Sequence, residues 1–296
     1  MKTLIVGLGF GQLYKKIYES MGAEIITVDS EQSTKPNFVE LTTAIEAHPE
    51  FDTAHICTPN KTHFALAKKL SGHAKIVFVE KPGVKSVAQW TALTHDKQTK
   101  YVMTKNNQYR DNIGEMANLG QKMSSIDLNW KNKNRIPSPG TWFTNKDLAF
   151  GGVSRDLLPH MLSLLFVLAP NDYESYNIID KKIEQRYRLE DCTDTDYGKV
   201  KEDGVYDVDD SAYLKLVGPN NIIKVNTAWR TDEEDDIAVH MYKGDIKFRS
   251  FSLGLCPEEA YKKMIDNHVK NLNNEEFWKE QNKQDLFIHK ILENAI

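Results

Sequence analysis

The most constraining stretch is the opening "TLIVGLGFGQLYKKIYESMG", an apolar run that stops at glycine and passes at once into a helical pattern. Leu13, Ile17 and Met21 recur every four residues with Tyr14 and Tyr18 beside them, which is one helical stripe, ended by Gly22. Four further apolar runs follow: "EIITVD", "TAHIC", "KIVFV" and "YVMTK". "HFALAKKL" and "VAQWTALTHDK" supply helices between the later ones. Strands that alternate with helices pair in parallel through right-handed crossovers. Ligands in such a sheet bind beyond the carboxyl ends of the strands.

The pattern changes after about Lys105. "SIDLNWKN" puts Ile126, Leu128 and Trp130 on one face, and "ESYNIIDKKIEQRY", "VYDVDDSAYLKLV", "NIIKVNTAW", "DIAVHMY" and "DIKFRSF" are further strands. "GPNN" and "KGD" read as hairpin turns. The expected fold is α/β. Residues 1–104 form a Rossmann dinucleotide-binding domain and residues 105–296 an α+β domain for substrate binding and oligomerisation, with a large, mostly antiparallel open sheet. "LLPHMLSLLFVL" reads as one apolar helix. The tail from Pro257 reads as helical, counted with the second domain, and its last helix is free to return to the first.

A chain of 296 residues fits two ordinary domains, and 40% hydrophobic residues suffice for packed interiors. A net charge of −4 offers no electrostatic reason to bind nucleic acid or an anionic membrane. Cys57, Cys192 and Cys256 are scattered, which argues against disulfides and a zinc site and favours a reducing, cytoplasmic setting. No metal site is expected. The N-terminus lacks a signal-peptide pattern, and no run approaches membrane length. The acidic runs "DCTDTDYGKVKEDG" and "DEEDD" read as solvated loops.

"VGLGFGQ" places Gly7 and Gly9 between strand and helix, where Gly7 allows a tight turn and Gly9 lets backbone approach a pyrophosphate. A third glycine is due at position 12, but Gln12 stands there and Gly11 comes one residue early. Asp29, twenty residues after Gly9, ends the second strand, where a carboxylate accepts from an adenosine ribose. Glu31 follows and no arginine is near, so NAD is favoured over NADP. Lys81 lies at the mouth of the fourth strand in "VEKP" and is able to donate to a substrate oxygen, though a surface ion pair with Glu80 explains the tripeptide alone. Asp156 and His160 stand four apart in "GGVSRDLLPH" and would share a helix face, with Pro159 complicating that reading. A core or capping role is the plainer account of His160 in isolation.

Taken in order, "VGLGFGQ", "VD", "CTPNKTH", "VEKP", "NQYR" and "GGVSRDLLPH" resemble the Gfo/Idh/MocA oxidoreductases, by motif as far as about Ser163. The resemblance implies hydride transfer between a nicotinamide and a carbinol or carbonyl carbon of a sugar, polyol or sugar nucleotide. It implies Lys81 near nicotinamide and substrate hydroxyl, His160 as general acid/base, and Asp156 as substrate binder or orienter. It sets Gly7, Gly9, Phe10, Gly11, Gln12, Asp29, Thr58, Pro59, Asn60, His63, Glu80 and Lys81 along the cofactor. Asn107 and Arg110 join Asp156 and His160 on the substrate side, though a surface ion pair also explains Arg110. Arg135, Trp142 and Arg230 are further pocket candidates, each equally readable as structural. Gln12, Leu158 and Ser163 depart from the family pattern. The same fold also serves non-catalytic dinucleotide-binding regulators and imine or tetrapyrrole reductases. A homo-oligomer, dimer or tetramer, is expected because too few helices follow the second-domain strands to cover both sheet faces, leaving an apolar face uncovered. The family's habit of pairing through that sheet points the same way.

Overall fold

The computed structural model describes residues 1–195 and 197–295. Asp196, within the first acidic run, lies outside them, as does Ile296. The chain forms two compact units, one of Met1–Thr104 with Tyr261–His289, the other of Lys105–Ala260 with the residues from Lys290 on.

The first unit is built on five parallel strands: β1 (Lys2–Val6), β2 (Glu24–Val28), β3 (Phe51–Ile56), β4 (Ala74–Val79) and β5 (Lys100–Met103). Their order is β2-β1-β3-β4-β5. The order reverses between β1 and β3, the switch point at which parallel sheets open a crevice. The carboxyl ends are level: Val6 pairs with Val28 and Ile56, and Val79 with Ile56 and Met103. The ladder continues one residue beyond the strands, because Gly7, Cys57, Glu80 and Thr104 donate to Val28, Val6, Ile56 and Val79. The turn residues that form the crevice wall are therefore held by sheet hydrogen bonds. Helices α1 (Gly11–Ser20), α2 (Leu41–Ala47), α3 (His63–Lys69) and α4 (Val87–Thr94) make the crossovers. The apolar stripe of α1 buries Tyr14, Ile17 and Tyr18.

The second unit begins with α5 (Ile113–Gly120) and β6 (Ser125–Lys131), then carries three short helices, α6 (Lys146–Ala149), α7 (Val153–Asp156) and α8 (Leu158–Leu162), with α9 (Leu165–Leu168) after them. The apolar run expected as one helix is thus interrupted, with α8 carrying a proline in its first turn. Pro159 has no N–H to give to the preceding turn, which separates α8 from α7, while the run itself breaks between Leu162 and Leu165. Strands β7 (Asn177–Glu184), β8 (Ser211–Val217), β9 (Ile222–Ala228), β10 (Asp236–Lys243) and β11 (Ile246–Ser252) complete a sheet of order β11-β10-β6-β9-β8-β7. Only β6 and β9 run parallel within it. Two tail helices follow, α10 (Glu258–Lys270) and α11 (Glu275–Ala295).

Residues Tyr261–His289 group with the first unit, to which the last helix is free to return. The reason is polar as well as apolar: Asp285 accepts from Met103 N at 3.1 Å and Asn282 from Trp90 Nε1 at 3.2 Å. One expectation is corrected here: the face of the second sheet opposite its buried residues is not apolar. Lys215, Lys224, Asp127 and His240 line up across four strands, and Asn226 donates to Asn129, which donates to Asp236. The acidic run Asp232–Asp236 meets Lys131, Lys133 and Arg135 through Glu233, Glu234 and Asp235. Among the described residues no helix is long and apolar enough to cross a membrane.

His55 on β3 is a polar group in the first core. Its ring stacks on Phe78 at 4.6 Å, its Nε2 lies 2.8 Å from Tyr18 Oη, and its Nδ1 meets no protein partner. Burial pushes its pKa down from 6.5 to about 3. The unfolded chain therefore takes up this proton first as pH falls. The contribution of a neutral His55 is complete above about pH 6.5 and is lost progressively toward pH 3. His55→Phe keeps the ring and removes the titration. Urea unfolding across this range should show a flatter acid limb for the variant, by up to one proton; equal slopes would contradict a buried neutral His55.

Candidate functional site

The glycine turn after β1 meets two steric demands. Gly7 has φ +91°, and a Cβ there would stand 2.7 Å from Cys57 O. Only glycine tolerates both that backbone and that approach. Gly11 opens α1, and a Cβ there would stand 2.7 Å from the Ile5 side chain. The close helix-to-strand contact assigned to a third glycine is thus made by Gly11, and Gln12 is left exposed. At Gly9 no atom of the described residues lies within 4 Å of the Cβ position. This open cradle over a ten-residue helix fits a dinucleotide pyrophosphate. Phe10 is exposed, its ring 5.9 Å from Tyr14 and 6.1 Å from Tyr261.

Asp29 reaches back into the turn. Its Oδ2 accepts from Leu8 N at 2.5 Å and its Oδ1 from Glu31 N at 2.8 Å. Glu31 is exposed, and the Ser33 N–H, followed by its hydroxyl, holds its carboxyl below the usual range. Beyond β3, Thr58 Oγ1 lies 2.6 Å from Thr62 Oγ1, Pro59 leads into a short 3-10 turn, and Asn60 is buried there. His63 is buried too, with Nδ1 2.7 Å from Gly83 O and Nε2 2.8 Å from Thr58 O. Both its nitrogens thus face backbone of the chain itself. Burial pulls its pKa down, helped by the Lys81 charge and opposed by the two carbonyls.

Glu80 turns inward. Tyr14 Oη donates to its Oε1 at 2.5 Å, and Lys81 N donates to its Oε2 and to Thr104 Oγ1, each at 3.3 Å. Burial raises its pKa, against the Tyr14 hydrogen bond and the Lys81 charge. A surface pair with Lys81 does not describe a carboxyl so deeply set. Lys81 itself is half-buried at the mouth of β4, and the Lys81–Pro82 peptide is cis.

In the second unit, Asp156 ends α7 and His160 lies in α8, so the two do not share one unbroken helix. Asp156 Oδ2 accepts from Trp229 Nε1 at 2.8 Å. The His160 ring is 5.3 Å from that of Trp130. Both side chains are half-buried, each beside an indole supplied by a parallel-paired strand or its end. The backbone of His160 is also fixed. Its carbonyl accepts from Ser163 Oγ at 2.7 Å and from Asn107 Nδ2 at 3.4 Å. Ser163, one of the departures from the resembled pattern, thus serves its own helix. Leu158 is core.

Arg110 is buried, donating Nε to Asn107 Oδ1 at 2.8 Å and its terminal nitrogens to Leu253 O and Gly254 O. Asn107 and Arg110 therefore form a brace behind His160. Trp142 stacks on Phe143 at 3.8 Å. Arg135 pairs with Asp235 at 3.3 Å, and Arg230 lies 4.5 Å over the Tyr187 ring and donates to Asp191 O. Sequence reasoning missed Tyr14, Trp130 and Trp229 as site partners. Tyr14 was visible only as stripe, and the indoles only as strand residues, because nothing local signals which polar atom they meet.

Residues 1–106 match the profile described as "Oxidoreductase family, NAD-binding Rossmann fold". Over 188 residues the chain is 27% identical to a protein named as a UDP-kanosamine synthase oxidoreductase subunit, from Amycolatopsis mediterranei strain S699, covering 57% of this chain and 52% of that one. The chain thus spans about half the length of this curated relative. Among solved structures it superposes on GenD2 from gentamicin A biosynthesis, in complex with NAD, with a TM-score of 0.80 at 15% identity over 100% of this chain and 93% of the other. For levoglucosan dehydrogenase with NADH and levoglucosan the TM-score is 0.74 at 14% identity, covering 100% and 96%. For a myo-inositol dehydrogenase from Corynebacterium glutamicum it is 0.70 at 13% identity, again covering 100% and 96%. At these identities the structural likenesses establish the fold. Residues 1–106 thus match in sequence the NAD-binding Rossmann domain of the Gfo/Idh/MocA oxidoreductases, and the whole chain shares the two-sheet fold of the solved structures.

Proposed function

We propose that this protein is an NAD-dependent dehydrogenase or reductase that moves hydride between the nicotinamide and a carbinol or carbonyl carbon of a sugar, polyol or sugar nucleotide. The observation that carries the reading is the glycine turn at the sheet's switch point, open at Gly9 and tied to the Asp29 carboxylate through Leu8 N. The relatives' names support the substrate class: a UDP-kanosamine synthase subunit, a levoglucosan dehydrogenase and a myo-inositol dehydrogenase. Gly7, Gly9, Gly11, Asp29 and the Thr58–Asn60 turn would hold the dinucleotide. Bound NAD supplies the hydride acceptor, and NADH the donor.

The residues' own steps follow from their chemistry. During oxidation His160 takes the proton from the substrate hydroxyl. Lys81 donates a hydrogen bond to the same oxygen and favours its developing negative charge. Asp156, oriented by the Trp229 N–H, accepts from a neighbouring substrate hydroxyl or aligns the imidazole. Asn107 and Ser163 keep the His160 backbone still. In reduction the proton moves the other way.

Lys81→Ala and His160→Ala should each lower single-turnover hydride transfer by about 10²–10⁴ with NADH affinity near wild type. The double variant should lose less than the product, because groups acting together are not additive. The assay starts from an absorbance screen of sugars, polyols and sugar nucleotides with NAD. Near-normal turnover of His160→Ala across pH would make this histidine structural.

NADH should bind more tightly than NADPH. A 2′-phosphate would meet the carboxylates of Asp29 and Glu31, with no arginine beside them to hold it. Fluorescence titration with both cofactors reads this directly, and Asp29→Ala should narrow the gap. Tighter binding of NADPH by the wild type would contradict the assignment.

Homo-oligomerisation through the second sheet remains part of the proposal. Its support is now a half-buried polar face organised by Asn226, Asn129, Asp236 and His240. A wet interface of this kind carries many hydrogen bonds and bridging waters. Light scattering at micromolar concentration should give a dimer or tetramer, and a monomer would refute it.

A further inference from the structure

Two buried histidines grip one peptide. Gly83 O lies 2.7 Å from His63 Nδ1, while the amide of the same peptide, Val84 N, donates to His289 Nε2 at 3.2 Å. His289 Nδ1 lies 2.7 Å from Asp285 O. A carbonyl only accepts, so His289 carries its proton on Nδ1 and leaves Nε2 as the acceptor that Val84 needs. A Cβ at Gly83 would stand 2.7 Å from the His289 ring, so the turn has no room to drift toward α11. Both histidines are buried. The gripped peptide begins two residues after Lys81.

His63 faces a second carbonyl, Thr58 O, at 2.8 Å. A neutral imidazole has one N–H and satisfies only one of the two. Burial favours that neutral ring. The peptide geometry decides between the carbonyls. Donation from Val84 N to His289 polarises the Gly83–Val84 peptide and makes Gly83 O the stronger acceptor.

We propose that His63 is a positioning residue whose Nδ1–H holds the Gly83–Val84 peptide against His289 and thereby fixes where Lys81 stands. The consequence for turnover rests on the role given to Lys81 above; the grip itself does not. His63 thus acts on the cofactor site through backbone, with both ring nitrogens facing carbonyls of the chain.

Three substitutions separate the ring's two nitrogens. In His63→Asn the amide nitrogen occupies the place of Nδ1 and keeps the donor to Gly83 O. In His63→Gln it reaches the place of Nε2 and keeps only a donor toward Thr58 O. His63→Phe keeps neither. Amide hydrogen exchange is read on the fragment covering Val79–Ser86, with no cofactor or substrate present. Exchange there should rise at least about tenfold in the Gln and Phe variants and stay near wild type in the Asn variant. Should the Phe variant fail to fold, the Asn and Gln pair carries the test. Equal exchange in Asn and Gln, or rescue by Gln instead of Asn, would overturn the proposal. With a substrate that the wild type turns over, the Gln variant should lose kcat about tenfold or more at unchanged KM and NADH affinity, and the Asn variant should recover it. A loss confined to NADH affinity in both would also overturn it. A wild type that transfers no hydride at all would sink the functional reading and leave the exchange test standing.

Discussion

A buried carboxyl governs the mouth of β4. Glu80 is taken out of water, which costs several kcal/mol for a charged group left without partners. Its partners are therefore obligatory, and they come from three places: the Tyr14 hydroxyl on α1, the Lys81 amide, and the Thr104 hydroxyl past β5. Those contacts bind the first crossover helix and the two last strands to one point. With Glu80 facing inward, the chain at Lys81 starts its turn from a fixed backbone. The short bond from Tyr14 and the raised carboxyl pKa express the same fact: this group is stabilised by neighbours because solvent is gone.

The first sheet was readable because each strand is a continuous apolar run and each turn announces itself by glycine or proline. "KIVFV" and "TAHIC" are buried on both faces, which is what a parallel sheet needs. Asp29 and Lys81 were placed by the same logic, since both stand at strand ends where crevices form. The reading failed where tertiary partners decide. The apolar run breaks at Ser163 and Leu164 into two helices, and with Pro159 in the first turn of α8, Asp156 and His160 stand on separate short segments. Arg110 looked like a ligand-reaching cation, but its guanidinium is spent on Leu253 O and Gly254 O, residues more than a hundred positions away. No local pattern encodes such a contact.

The polar face of the second sheet exposes a weakness in reasoning from alternation alone. Alternation put Ile126, Leu128 and Trp130 on one face, and all three are buried. It said nothing about the quality of the other face until pairing brought Lys224 beside Asp127, and Asn226 beside Asn129. Single polar residues on separate strands read as solvent-facing. Registered across four strands, they form a connected layer in which each amide has a partner, and such a layer resists slippage, since a one-residue shift would put these groups into the core.

The tail helix shows why a two-domain chain need not divide its sequence in two. β5 is the edge of the parallel sheet, so on that side its backbone donors have no strand to pair with. Asn282, Asp285 and His289 recur at intervals of three and four along α11 and so lie on one helical face. That face serves three separate donors: Asp285 takes the Met103 amide at the edge, His289 takes the Val84 amide in the turn after β4, and Asn282 takes the Trp90 indole N–H on α4. A purely apolar helix would cover the edge while leaving those donors unsatisfied, at a cost of about 1–3 kcal/mol each. Polar residues in a helical tail ordinarily read as its wet side. Here one of them closes a sheet edge, another anchors α4, and the turn that presents Lys81 depends on the last of them.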